Sequence, residues 1–276
     1  MGKRSKTIYI TDLDGTLLKS DQSTSQFTDR VINGLIDSGG LFSFATARSE
    51  ETATPVVAGF NISAPPIFYN GAVVGYARGE VSPIRIFFPD NIVDMTVELI
   101  GADIFPIVYS FIDGEEKFSF LQDKCTREMT EFLDTRKHCR RYRPVNTFEE
   151  LTTDNIFYIT CIDSENKLSP FFEKYRNDYY CVFQKDSYTD GRWLEIMPKA
   201  STKAKAAVAL KERLGCDELV VFGDNKNDME LFKAADRSYA VANAVPELKA
   251  IATDVIGSNN DDGVARFLQK ESTRSL

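Results

Sequence analysis

Asp12 and Asp14 stand two residues apart in ITDLDGTLL (Ile10–Leu18), at the end of an apolar run. Carboxylates at the mouth of a buried strand are costly unless something cationic meets them. On an extended segment the two side chains share one side, roughly 6.5–7 Å apart. One could bond a substrate atom while the other reaches a bridging oxygen or its water. Asp224 ends a second apolar run, ELVVFGD, and Asn227 and Asp228 follow it. Thr46 and Arg48 follow a third run, in FATARS, and Asn70 closes a fourth, PIFYN. Lys203, in STKAK, falls in the first turn of an expected helix, where a cation opposes the helix dipole and asks for an anionic partner. Acidic oxygen ligands without histidine or cysteine suit Mg²⁺, which typically takes one or two carboxylates, waters and phosphate oxygens.

Each feature alone has a plain structural account. A DxDG stretch can be an Asx-turn, a threonine after a strand can cap a helix, and a lysine on a helix can be solvated. What makes them informative together is placement, because each falls at an expected strand end or helix start. In open α/β sheets, sites form at the carboxyl ends of the strands. The elements around them alternate accordingly. Strands are expected over 7–13, 41–45 and 66–69, with helices over 27–38 and 49–60 between them. After Trp193 the alternation resumes with WLEIMP as a strand, a helix over 202–214 capped by Ser201, the strand ELVVFGD, a helix over 227–235 and the strand SYAVAN. Helices over 246–252 and 261–270 follow, and a frayed tail is expected from Glu271.

The middle of the chain has a different character. Residues 71–88 look like hairpin material, and FPIVYSFIDGEEKFSFL is a hairpin with its turn at Asp113-Gly114. Helices are expected over 91–100, 125–137 and 165–176, and strands over 155–162 and 179–184. The expected organisation is therefore α/β: a doubly wound, Rossmann-like parallel-sheet core from residues 1–81 and 191–276, with an α+β domain inserted at 82–190. DGRW (Asp190–Trp193), at the return to the core, is a hinge candidate.

Composition removes several function classes. The 276 residues carry a net charge of −8, which argues against general nucleic-acid binding. No apolar stretch is long enough for a membrane span, and the N-terminus runs straight into a strand, so neither a span nor a signal peptide is expected. The five cysteines lack CxxC pairing, which suits a reduced, cytoplasmic chain without a sulfur-bound metal. His138 is the single histidine, so a histidine-based triad or multi-histidine metal site is excluded.

DLDGT, TAR, the lysine of STKAK and GDNKND resemble, in order, the four motifs of the haloacid dehalogenase-like phosphohydrolases. YNGA (Tyr69–Ala72), VANA (Val241–Ala244) and DGVA (Asp262–Ala265) are similar to signals of its Cof-type sugar-phosphatase branch, whose α/β cap domain lies where this chain has its insertion. The resemblance spans the whole core. It implies a Mg²⁺-dependent phosphatase of small phosphorylated metabolites, with Asp12 as nucleophile and Asp14 as acid–base. Asp12, the backbone carbonyl of Asp14, Asp224 and Asp228 would serve the metal. Thr46, Ala47, Arg48, Asn70, Lys203 and Asn227 would face the substrate. Where the family commonly has glycine, this chain has Ala47 and Ala204, and Lys199 and Lys205 are neighbouring competitors for the lysine role.

Other classes share parts of this pattern. A phosphomutase returns the phosphoryl group to substrate. Receiver domains combine an acidic cluster with threonine and lysine but are much shorter. A silent binding protein would not need Asp12, Asp14, Lys203 and Asp224 intact. The basic run RKHCRRYR (Arg136–Arg143) stands out in an acidic chain, either as a solvated helix end or as a surface for an anionic partner.

Overall fold

TIYIT (Thr7–Thr11) is a strand because β-branched and aromatic residues alternate toward two covered faces, and Ile8 and Ile10 are fully buried. It lies between two parallel neighbours, Glu218–Gly223 and Leu41–Phe44. The computed structural model describes residues 6–75, 84–89, 92–152, 155–185 and 191–274. Within these, the chain divides into two compact units, 1–84 with 201–276, and 85–200.

In the first unit a parallel five-stranded sheet runs in the order Asp254–Ile256, Arg237–Val241, Glu218–Gly223, Thr7–Thr11, Leu41–Phe44. Strand order changes direction beside Thr7–Thr11, which is where open α/β sheets leave a crevice at their carboxyl ends. Helix Gln26–Asp37, capped by the Ser25 side chain, packs with helix Gly263–Arg274, and helix Lys203–Arg213 packs with Met229–Ala234. A doubly wound α/β core is thus present. Beyond Leu41–Phe44, Ala45 bridges to Ile67, and Ile67–Phe68 pairs antiparallel with Val73–Val74 through a Tyr69–Gly71 turn.

The second unit is a six-stranded sheet in the order Tyr180–Lys185, Arg192–Met197, Ile156–Asp163, Ile107–Ile112, Glu115–Leu121, Tyr142–Val145. All pairs are antiparallel except the last. One face carries Val108, Ile159, Cys161, Leu194 and Ile196 into a core shared with helices Ile92–Gly101 and Glu165–Tyr175. The expected Asp113-Gly114 turn is there, with both residues at positive φ (52° and 81°), as a tight hairpin requires.

Several expectations are corrected by tertiary context. WLEIMP does not return to the parallel core: Arg192–Met197 hydrogen-bonds between Tyr180–Lys185 and Ile156–Asp163, which moves the second boundary to residue 200. The helix expected over 49–60 is a short one, Glu50–Ala53, followed by a tighter turn at Thr54–Val57, where Pro55 removes a backbone donor. Thr202, not Ser201, caps helix Lys203–Arg213 through a bond from the Lys205 N–H. The tail stays helical to Arg274, because Glu271 is tied to Arg237. Strands Tyr142–Val145 and Asp254–Ile256 were not expected. Much of the hairpin expected over 71–88, and Asp190 of the hinge candidate, lie outside the described residues.

Candidate active site

The two central strands place the acids. The Asp12 backbone N–H donates to the Phe222 carbonyl at 2.9 Å, so Asp12 leaves its strand alongside Gly223 and Asp224. The chain then turns through Leu13–Leu17, with Gly15 at φ +75°. A Cβ at Gly15 would lie 2.5 Å from Asp224 Oδ2, so the glycine answers both a left-handed backbone and a close approach. Thr16 Oγ1 donates to Asp224 Oδ1 at 3.1 Å. Asp228 closes the turn after the Glu218–Gly223 strand, and its Oδ2 accepts the backbone N–H groups of Asp224 (3.1 Å) and Asn225 (3.3 Å). Gly223 leaves room for it, because a Cβ there would lie 2.7 Å from Asp228 Oδ2.

Lys203 arrives from the start of its helix, 1% exposed, and donates from Nζ to Asp12 Oδ1 at 2.7 Å and to Asp228 Oδ1 at 2.9 Å. The YNG turn supports this segment: Gly71, at φ +113°, is packed so tightly on the Thr202 backbone that a Cβ would lie 2.4 Å from its carbonyl carbon. Lys199 and Lys205 are not rivals, since Lys205 is exposed and Lys199 donates to the Asn177 carbonyl in the second unit.

Asp12, Asp224 and Asp228 each bring a carboxylate oxygen within 4.8 Å of the others. Burial pushes the Asp12 carboxyl well above its usual range; Lys203 opposes this, while Asp228 and Asp224 reinforce it. Asp224 is pushed up to about 6, by burial first and Asp228 second. Burial opposes the charge on Lys203, but Asp12 and Asp228 outweigh it and hold the ammonium above its ordinary range. One ammonium therefore undercompensates three converging acids, and the donor set is all oxygen. That chemistry fits a hard divalent cation such as Mg²⁺. Asp228 is held in place by its bonds, Oδ1 to Lys203 and Oδ2 to two backbone N–H groups, which fixes its orientation in the cluster.

Asp14 does not join them. Its carboxylate is half exposed and held by Arg48 from the second motif, which also draws the Arg48 guanidinium above its ordinary range through that hydrogen bond. Thr46 is fully buried, its Oγ1 accepting the Arg48 backbone N–H at 3.1 Å and its carbonyl accepting the Asn70 N–H at 2.9 Å. Asn70, left-handed at φ 53°, is buried with Oδ1 lacking a partner among the described residues. Ala47 is exposed, and Asn227 is half-buried in the turn that carries Asp228.

Sequence reasoning passed over Thr16 and Asn243. Asn243 donates to the Gly15 carbonyl at 2.7 Å and accepts the Asn259 N–H, bracing the DLDGT loop. Its place in VANA was the available signal. DGVA also proves structural here: Asp262 accepts the Ser25 and Thr28 hydroxyls at the start of helix Gln26–Asp37. The basic run is largely neutralised within its own unit. Arg141 pairs with Glu116 at 2.6 Å, Lys137 with Asp134, and Arg140 with Glu115. His138 is exposed.

A model of the haloacid dehalogenase-like hydrolase family matches residues 9–268. The chain belongs to that family. The hydrolase falls in its Cof-type branch. It is 24% identical over 272 residues to the Bacillus subtilis 5-amino-6-(5-phospho-D-ribitylamino)uracil phosphatase YitU, covering 94% of this chain and 95% of that one. A second Bacillus subtilis protein given the same activity, YwtE, is 25% identical, covering 94% and 96%. Among solved structures, TM0651 from Thermotoga maritima superposes with a TM-score of 0.78 at 25% identity, covering 96% of this hydrolase and 97% of that chain. The sugar phosphatase BT4131 shares the fold at a TM-score of 0.72 and 18% identity, covering 97% and 99%. No helix among the described residues is long and apolar enough to cross a membrane.

Proposed function

We propose that this hydrolase is a cytoplasmic, Mg²⁺-dependent phosphatase of small phosphomonoesters, sugar phosphates or related metabolites, working through an aspartyl-phosphate. The observation that carries the proposal is the buried Lys203, bonded to Asp12 and Asp228 beside Asp224. Phosphoryl transfer needs positioning and charge stabilisation more than elaborate covalent chemistry, and this cluster offers both.

Asp12 attacks phosphorus and displaces the leaving oxygen, which takes a proton from Asp14. Asp14 then withdraws a proton from the water that hydrolyses the Asp12 acyl phosphate, releasing inorganic phosphate and restoring both acids. Lys203 offsets charge beside the nucleophile, and Thr46 and Asn227 donate to the phosphoryl oxygens. Asp12 and Asp224 with the Asp14 carbonyl would hold Mg²⁺, whose charge would let a carboxylate approach a phosphate dianion. The second unit, residues 85–200, serves as the specificity domain. The phosphatase names of YitU and YwtE support a small phosphorylated metabolite as substrate.

The test is phosphate release from a panel of phosphorylated metabolites, with Mg²⁺ and with a chelator. Metal-dependent turnover of one or more sugar phosphates is expected. Absence of release from every ester in the presence of Mg²⁺ would refute the proposal, and transfer back to substrate in place of release would identify a mutase.

A further inference from the structure

The side chain assigned to proton transfer is caught in a fork. Arg48 donates from Nε to Asp14 Oδ2 at 2.8 Å and from Nη2 to Asp14 Oδ1 at 2.6 Å. One planar guanidinium thereby engages both oxygens of one carboxylate, the arrangement that makes arginine–carboxylate pairs directional as well as attractive. The fork is itself anchored: Nη1 donates to the Thr52 carbonyl and Nη2 to Gln22 Oε1, each at 3.2 Å. Gln22 makes that contact from a left-handed backbone, φ 63°, which non-glycine residues seldom adopt. The Arg48 side chain is 17% exposed and that of Asp14 is 50% exposed.

A carboxyl that protonates a leaving oxygen, or takes a proton from water, must turn one of its own oxygens toward that atom. In the fork each oxygen of Asp14 already accepts from Arg48, so turning one onto a reacting atom means giving up an arm of the pairing. We propose that Arg48 is a latch that holds Asp14 back from proton transfer, and that the latch opens for each transfer Asp14 makes, to the leaving oxygen and then from the attacking water. Arg48 is on this account a positioning residue, acting on the chemistry through Asp14. The proposal rests on the assignment of Asp14 as the acid–base group.

The test compares two esters, so that contributions common to any phosphoryl group cancel. One is p-nitrophenyl phosphate, whose leaving group departs without a proton; the other is the sugar phosphate turned over fastest. Since kcat/KM reports the steps up to aspartyl-phosphate formation, the ratio of sugar to aryl kcat/KM isolates the proton donation. Arg48→Lys keeps the charge but not the fork, and Arg48→Gln, a second variant, removes both. Either should raise the ratio about two- to five-fold over wild type, the scale of a partly exposed ion pair. An unchanged ratio would mean that Arg48 serves both esters alike, and a lowered ratio that it presents Asp14 productively; either overturns the latch. Asp14→Asn separates this from a failure of the underlying assignment. It should lower the ratio by about 10²–10⁴-fold, and a ratio that survives it removes Asp14 as the acid whatever Arg48 does. In the unmodified protein, the Arg48 Nε–H resonance should move when beryllium trifluoride with Mg²⁺ occupies the Asp12 site. A resonance unmoved while Thr46 responds would also overturn the latch.

Discussion

Glu195 lies on the Arg192–Met197 strand of the second unit, on the face opposite Leu194 and Ile196. It is 8% exposed, Tyr158 hydrogen-bonds it, and Oε2 has no partner among the described residues. Burial pushes its carboxyl from an ordinary 4.5 up to about 7. Because the folded state holds the proton more tightly than the unfolded chain, the stabilisation is complete below about 4.5 and fades as the pH rises through about 7. At about 1.4 kcal/mol per unit, this amounts to about 3 kcal/mol. Glu195→Gln, which mimics the protonated acid, should therefore match wild type at pH 4.5 and exceed its stability by about 3 kcal/mol at pH 8. Trp193 is the only tryptophan and sits two residues away, its ring packed edge-on against Phe132, so its fluorescence during urea unfolding reports this unit. A difference between the two proteins that stays flat from pH 4.5 to 8 would refute the reasoning.

The remaining predictions concern the first unit. Asp12→Asn should abolish turnover while circular dichroism and thermal unfolding stay near native; near-native turnover by the folded variant would remove Asp12 as nucleophile. Asp224→Ala should raise the Mg²⁺ concentration needed for half activity or eliminate activity, and an unchanged Mg²⁺ titration would exclude it as a ligand. Gly15→Ala forces a Cβ to within 2.5 Å of Asp224 Oδ2 at a left-handed residue. It should cost about 1–2 kcal/mol from the backbone alone and weaken Mg²⁺ activation as well, so unaltered Mg²⁺ dependence would show that Asp224 can move aside freely.

Local sequence settled whatever depends on neighbours along the chain. Apolar β-rich runs ending in Asp12 and Asp224 had to be strands with acids at their carboxyl ends, and Asp113-Gly114 had to be a tight turn, because period and φ preference act over a few residues. The candidate site residues could be picked out for the same reason: each stands where an element begins or ends. Tertiary structure decided the rest. Nothing local distinguishes WLEIMP as a strand of the second sheet, since its alternation suits either partner and only pairing with Ile156–Asp163 and Tyr180–Lys185 places it. Lys203 and Asp12 are 191 residues apart, and it took the packing of the Lys203–Arg213 helix in the first unit to bury that ammonium between two carboxylates. Arg48 and Asp14, expected to face substrate and proton, were free in the sequence to do so and face each other in the fold. Residue type fixes which charges are available; which of them meet, and how dry the meeting place is, depends on contacts between segments that one-dimensional spacing does not encode.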